Sequence, residues 1–91
     1  MIIKNYFRDG EKMHEHFLEH GEETQSCSEE EYLIKANSVI QNPNTKRKHE
    51  TDDGDSDVVY YLSETGEIVF VSVEGYIRTY FIADDEYFEK Q

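Results

Sequence analysis

The sequence predicts an α+β fold, with two N-terminal helices packed on a small antiparallel β-sheet of three to four strands. Three observations carry this. The front half places apolar residues at helical spacing behind recognisable caps, and the back half alternates β-branched and aromatic runs with glycine-bearing turns. A break at Asn42-Pro43-Asn44 separates the two regions. At 91 residues the chain reads as one domain, 1–91. A domain of that size buries roughly 60–65% of the surface its unfolded chain exposes, so its core is single and small.

The helical half spans 9–42. Asp9 caps a first helix over 10–20, where Met13, Phe17 and Leu18 fall on adjoining turns and Gly21 is placed to end it. Glu11, Glu15 and Glu19 form a solvated stripe along another face, and like charges at that spacing repel mildly. The second helix starts with Ser28 as cap and Glu31 three residues on, the pattern of a capping box. Cys27 and Tyr32 flank that start as a hydrophobic staple, and Tyr32, Leu33, Ala36, Val39 and Ile40 give the buried stripe.

Thr45 to His49 holds the only basic run, Lys46-Arg47-Lys48-His49, which reads as an exposed edge strand or loop. An acidic loop over 50–57 follows around Gly54. The β-meander covers 58–81: Val58 to Leu62, a turn at Glu64-Thr65-Gly66, Glu67 to Val71, a turn at Val73-Glu74-Gly75, and Tyr76 to Phe81. Strict alternation puts Ile77, Thr79 and Phe81 on one face of the last strand, with Tyr76, Arg78 and Tyr80 on the other. The segment 84–91 makes a short C-terminal helical turn, docked through Tyr87 or Phe88.

Charge narrows the function classes. Nine basic against 21 acidic side chains give a net charge of −12, so no basic patch dominates the surface and binding to phosphate works against the overall field. Carboxylates in 22–31, 50–57 and 84–89 account for 14 of the 21. Seven Tyr and five Phe supply a core despite a hydrophobic fraction of 36%, which argues against disorder. The single cysteine forms no intrachain disulfide and no metal cluster alone. Met1 to Arg8 turns charged too soon for a signal sequence, and no stretch approaches the roughly 18 apolar residues of a membrane helix. The expected location is the cytoplasm, with no membrane partner; an exported cargo without a cleavable signal has the same composition.

Two places carry candidate chemistry. His14, His16 and His20 lie on the first helix, and His16 and His20, four apart, share a face. Three readings stand: half-buried structural histidines, zinc ligands, or an acid–base pair, since imidazole titrates near neutrality. The order His16-Phe17-Leu18-Glu19-His20 lacks the His-Glu-x-x-His spacing of a zinc protease. The last strand offers Arg78 as an anion holder, against the plainer reading of an arginine salt-bridged to a nearby carboxylate, and Thr79 as a ligand contact, against ordinary sheet packing. Asp52 to Asp57 clusters oxygens without EF-hand spacing. No phosphate loop or nucleophile elbow is present, and no cofactor is expected.

Three phrases stand in a characteristic order: His16-Phe17-Leu18-Glu19-His20-Gly21, Ser28-Glu29-Glu30-Glu31-Tyr32-Leu33 with Ala36, and Gly75-Tyr76-Ile77-Arg78-Thr79-Tyr80-Phe81 ahead of Tyr87-Phe88-Glu89-Lys90-Gln91. From about residue 14 onward the chain resembles the small toxin domains of bacterial polymorphic toxins and phage proteins within the barnase, colicin and RelE-like ribonuclease superfamily. The resemblance implies a metal-independent endoribonuclease with helices before a curved antiparallel sheet. It implies His16 as general base or acid and His20 as the histidine before the glycine. Arg78 and Thr79 would be the strand pair that holds the scissile phosphate. Against the pattern, Glu19 stands where relatives carry lysine, and Ile82-Ala83 replaces a Lys-Pro pair. Both departures remove positive charge.

Two functions follow. One is a ribonuclease-like domain acting on structured RNA, active or degenerate. The other is an acidic nucleic-acid mimic or inhibitory adaptor, phage-encoded or otherwise, that binds a basic host or nucleic-acid-binding protein.

Overall fold

A computed structural model describes residues 7, 9–49, 57–72 and 74–90. Its elements run α1 (Gly10–His20), α2 (Glu29–Gln41), β1 (Lys46–His49), β2 (Val58–Leu62), β3 (Glu67–Val71), β4 (Ile77–Ile82) and α3 (Asp85–Glu89). The helices-then-sheet α+β architecture is the one the sequence predicts.

The caps explain the helix boundaries. Asp9 Oδ1 accepts from the Lys12 amide at 2.8 Å, satisfying one of the donors that a helix start leaves free. At α2 the Ser28 hydroxyl accepts from the Glu31 amide at 3.1 Å, and Glu31 Oε1 reaches back to the Cys27 amide at 2.9 Å. The capping box therefore closes one residue earlier than its usual return to the cap itself. Cys27 is exposed while Tyr32 is fully buried, so the expected staple between them does not form. Gly21 follows α1 with helical angles, φ −60°. A Cβ there would lie 2.6 Å from the Phe17 carbonyl oxygen and 2.8 Å from its ring, so the close chain approach requires glycine.

The sheet is an antiparallel meander in the order β1-β2-β3-β4. Its turns stay short because Gly66 and Gly75 adopt φ +79° and +96°, a region glycine enters without steric cost. One face carries Val58, Tyr60, Leu62, Val69, Val71, Ile77 and Tyr80 against Tyr32, Ala36 and Val39 of α2. The opposite face gathers Val59, Tyr61, Ile68 and Phe70, closed by Phe88 of α3, whose ring stacks on Tyr61 at 4.9 Å. With apolar residues on both faces, β2 is buried throughout rather than alternating. α1 lies over the β4 side. Met13 and Phe17 pack on the core, but Leu18 is 69% exposed, so the expected apolar face of α1 is narrower by one residue.

The last strand departs from strict alternation. The β3–β4 register shifts between Phe70 and Val71, which pair with Thr79 and Ile77 and leave Arg78 as the extra residue. A bulge turns the residues on its two sides out of step. Ile77 and Tyr80 consequently both enter the helix-side core, and Thr79 falls on the opposite face beside Phe70. The expected face of Tyr76, Arg78 and Tyr80 does not exist. Of the acidic loop expected over 50–57, only Asp57 lies within the described residues, and it is buried rather than solvated.

Candidate functional site

Helical spacing puts His16 and His20 side by side on α1, with ring centroids 6.2 Å apart and planes 19° from parallel. Phe7, which bridges to Ile77 beside β4, stacks on His16 at 5.5 Å. Phe81 of β4 meets His20 at 5.3 Å. The two imidazoles thus form the middle of a run from Phe7 to Phe81 along the β4 edge.

Their environments differ. His16 is half-buried, and its Nδ1 is shielded from solvent without a hydrogen-bond partner among the described residues. Burial lowers its pKa below the ordinary value, with His20 and Lys12 acting in the same direction and Glu19 and Glu15 opposing. The neutral ring is therefore favoured near pH 7. His20 lies between two carboxylates: Glu23 Oε1 at 2.9 Å from Nδ1 and Glu19 Oε2 at 3.5 Å from Nε2. The Glu23 contact assigns the Nδ1 proton, because a carboxylate accepts.

Glu23 is the residue that the sequence did not reveal. It follows α1 in the turn 21–25, where the Thr24 hydroxyl donates to the carbonyls of His20 and Gly21. Its Oε1 faces His20 and its Oε2 accepts from the Ile82 amide of β4 at 3.0 Å. Burial acts to raise the Glu23 pKa. The hydrogen bonds from His20 and Ile82, with the charge of His20, more than offset that, so the carboxyl lies below its ordinary value. One side chain ties the end of α1, an imidazole and an edge strand together. A cleft of about 290 Å³ opens beside it, walled by Lys35, Thr65, Glu67 and Ile82.

Arg78 is placed elsewhere. Its Nη1 lies 2.5 Å from Oδ2 of Asp57; the arginine is 52% exposed and the aspartate 7%. The bulge aims the guanidinium at the start of β2. Thr79 sits half-buried against Phe70 across the sheet. Among the described residues no hydrogen bond, ion pair or ring contact joins either imidazole to Arg78 or Thr79. The structure brings the two histidines together and gives Arg78 a carboxylate partner.

Among the described residues no group of three or more His, Cys, Asp or Glu side chains is arranged to hold a metal ion. No described helix is long and apolar enough to cross a membrane. The arrangement can move protons, with one neutral imidazole next to another anchored by a carboxylate. No protein-family model matches this chain, and no curated protein matches it significantly.

Proposed function

We propose that this chain is a metal-independent endoribonuclease-like domain acting on structured RNA in the cytoplasm, with His16 and His20 as its proton-transfer pair. The observation that carries the reading is the adjacency of two imidazoles in unlike settings, 6.2 Å apart. Titratable neighbours whose surroundings differ can divide acid and base roles between them.

In this mechanism Nε2 of neutral His16 takes the proton from an RNA 2′-hydroxyl. The 2′-oxygen attacks the adjacent phosphorus, and the bond to the 5′-oxygen breaks. His20 donates its Nε2 proton to that leaving oxygen, with Glu23 holding the other ring nitrogen. The products are a 2′,3′-cyclic phosphate and a 5′-hydroxyl, so no metal or covalent enzyme intermediate is required. Arg78 would reach the phosphate only by leaving Asp57, and Thr79, half-buried against Phe70, joins it on the resemblance alone. Cleavage of RNA in the presence of a chelator by the wild type, compared with His16→Ala, tests the reading.

A second reading has its own observation. His20 has carboxylates against both nitrogens, and Arg78 is paired with Asp57. Phosphate contacts supply most nucleic-acid affinity, so cations already matched to acids favour an acidic protein that binds a basic host or nucleic-acid-binding partner. That reading requires affinity for a basic protein that falls as salt rises.

A further inference from the structure

β1 is the edge of the sheet, and among the described residues nothing pairs with its outer side. It reads Lys46-Arg47-Lys48-His49, and all but the half-buried Lys48 are exposed. In a chain with 21 acidic side chains, the other described cations are mostly spoken for. Arg78 pairs with Asp57, Lys90 with Glu86, and Lys35 donates to the carbonyls of Thr24 and Gln25. Lys46, Arg47 and Lys48 stand together with no carboxylate within ion-pair distance among the described residues. Pairing places Lys46 and Lys48 opposite Tyr61 and Val59 on one face, and Arg47 and His49 opposite Tyr60 and Val58 on the other. The ammonium of Lys48 is held 4.7 Å above the ring of Phe88, which fixes its position before any ligand arrives.

We propose that β1 is a binding edge for the RNA phosphate backbone, remote from the histidine pair. The inference rests on the ribonuclease reading for its choice of polyanion. Its physical basis is charge, since phosphate backbones are held chiefly by Lys and Arg. Lys46 and Lys48, two residues apart on one face, stand about 7 Å from each other along the strand, and Arg47 projects on the other face, so the unpaired edge offers cations to a backbone lying along it. A second copy of this strand is excluded as the occupant, because two such edges repel. The sheet separates β1 from β4 by three strand spacings, roughly 14 Å. RNA held at β1 is gripped several nucleotides from the histidines, outside the local field of Glu19 and Glu23.

The test is fluorescence anisotropy of a labelled, 2′-O-methylated single-stranded RNA, which binds without being cleaved, titrated over a range of salt. Wild type is compared with a Lys46→Gln, Arg47→Gln, Lys48→Gln triple variant and with Lys90→Gln, which removes a surface cation away from β1. Three phosphate contacts to a single strand give a log–log salt slope of about −2, and the triple variant flattens it by about 2 and weakens binding at least tenfold at low salt. Lys90→Gln leaves the slope unchanged. Equal affinity of wild type and triple variant overturns the proposal even if His16-dependent cleavage is observed. Equally tight, β1-dependent capture of a polyglutamate peptide overturns the choice of RNA. Loss of binding in the triple variant of a chain that cleaves nothing sustains the edge and removes the catalytic reading.

Discussion

Nδ1 of His20 lies 2.9 Å from Oε1 of Glu23, and the second oxygen of that carboxylate is bonded to the backbone of β4. The imidazole is thereby oriented by a strand distant in sequence rather than by its own helix alone. This orientation distinguishes His20 from a histidine held only by its own helix.

Glu23→Gln keeps the shape and removes the charge. The side chain is partly solvated, so the stability cost stays below about 1 kcal/mol. Its effect appears in catalysis: the rate of RNA cleavage falls with KM unchanged, and Glu23→Asp restores part of it. A loss of rate matched by an equal loss of folded protein would make Glu23 structural only.

His16 makes stability depend on pH in a defined direction. Its folded pKa is below the ordinary 6.5, so the unfolded chain binds the proton more readily. The stabilising contribution is present above about pH 6.5 and is lost as pH falls toward the folded value. Urea denaturation from pH 7.5 down to pH 5.5 shows the loss in wild type, and His16→Phe reduces it.

The tyrosines set the alkaline limit. The Tyr32 hydroxyl donates to the Tyr80 carbonyl, and the Tyr80 hydroxyl donates to Glu67. Burial raises both phenols well above the ordinary 10, and burial together with Asp85 pushes Tyr61 up to about 12. Their stabilising contribution is complete below pH 10 and is lost as pH rises from there toward the folded values. Tyr32→Phe leaves a buried carbonyl without its donor and costs about 1–3 kcal/mol by urea denaturation at pH 7.

Arg78→Ala strands the buried carboxylate of Asp57. The expected cost is about 1–3 kcal/mol, limited by the exposure of the arginine. Asp57→Asn with Arg78→Ala together costs less than the sum of the single changes, since each removes the same contact. Additive single costs would show that the two side chains act independently.

The legible parts of this fold were those governed by near neighbours. Asp9 and Ser28 announce helix starts because their bonds close within three residues, and Gly66 marks a turn that demands positive φ. The shared face of His16 and His20 follows from helix geometry alone. Three features depended on chain segments far apart in sequence. The bulge at Arg78 arises from register against β3, Glu23 acquires its role only when β4 arrives, and Asp57 meets Arg78 across the sheet. Alternation within one strand cannot report a slip imposed by its neighbour. A glutamate among many acidic residues carries no local sign that it faces an imidazole.

The most direct measurement is single-turnover cleavage of a structured RNA in a chelator-containing buffer, by wild type and by His16→Ala folded to the same extent by circular dichroism. Removing a positioned general base lowers the rate by about 10²–10⁴-fold, and the wild-type product carries a 2′,3′-cyclic phosphate. Equal rates for the two proteins, or no cleavage by the wild type, would contradict the assignment of the histidine pair to RNA cleavage.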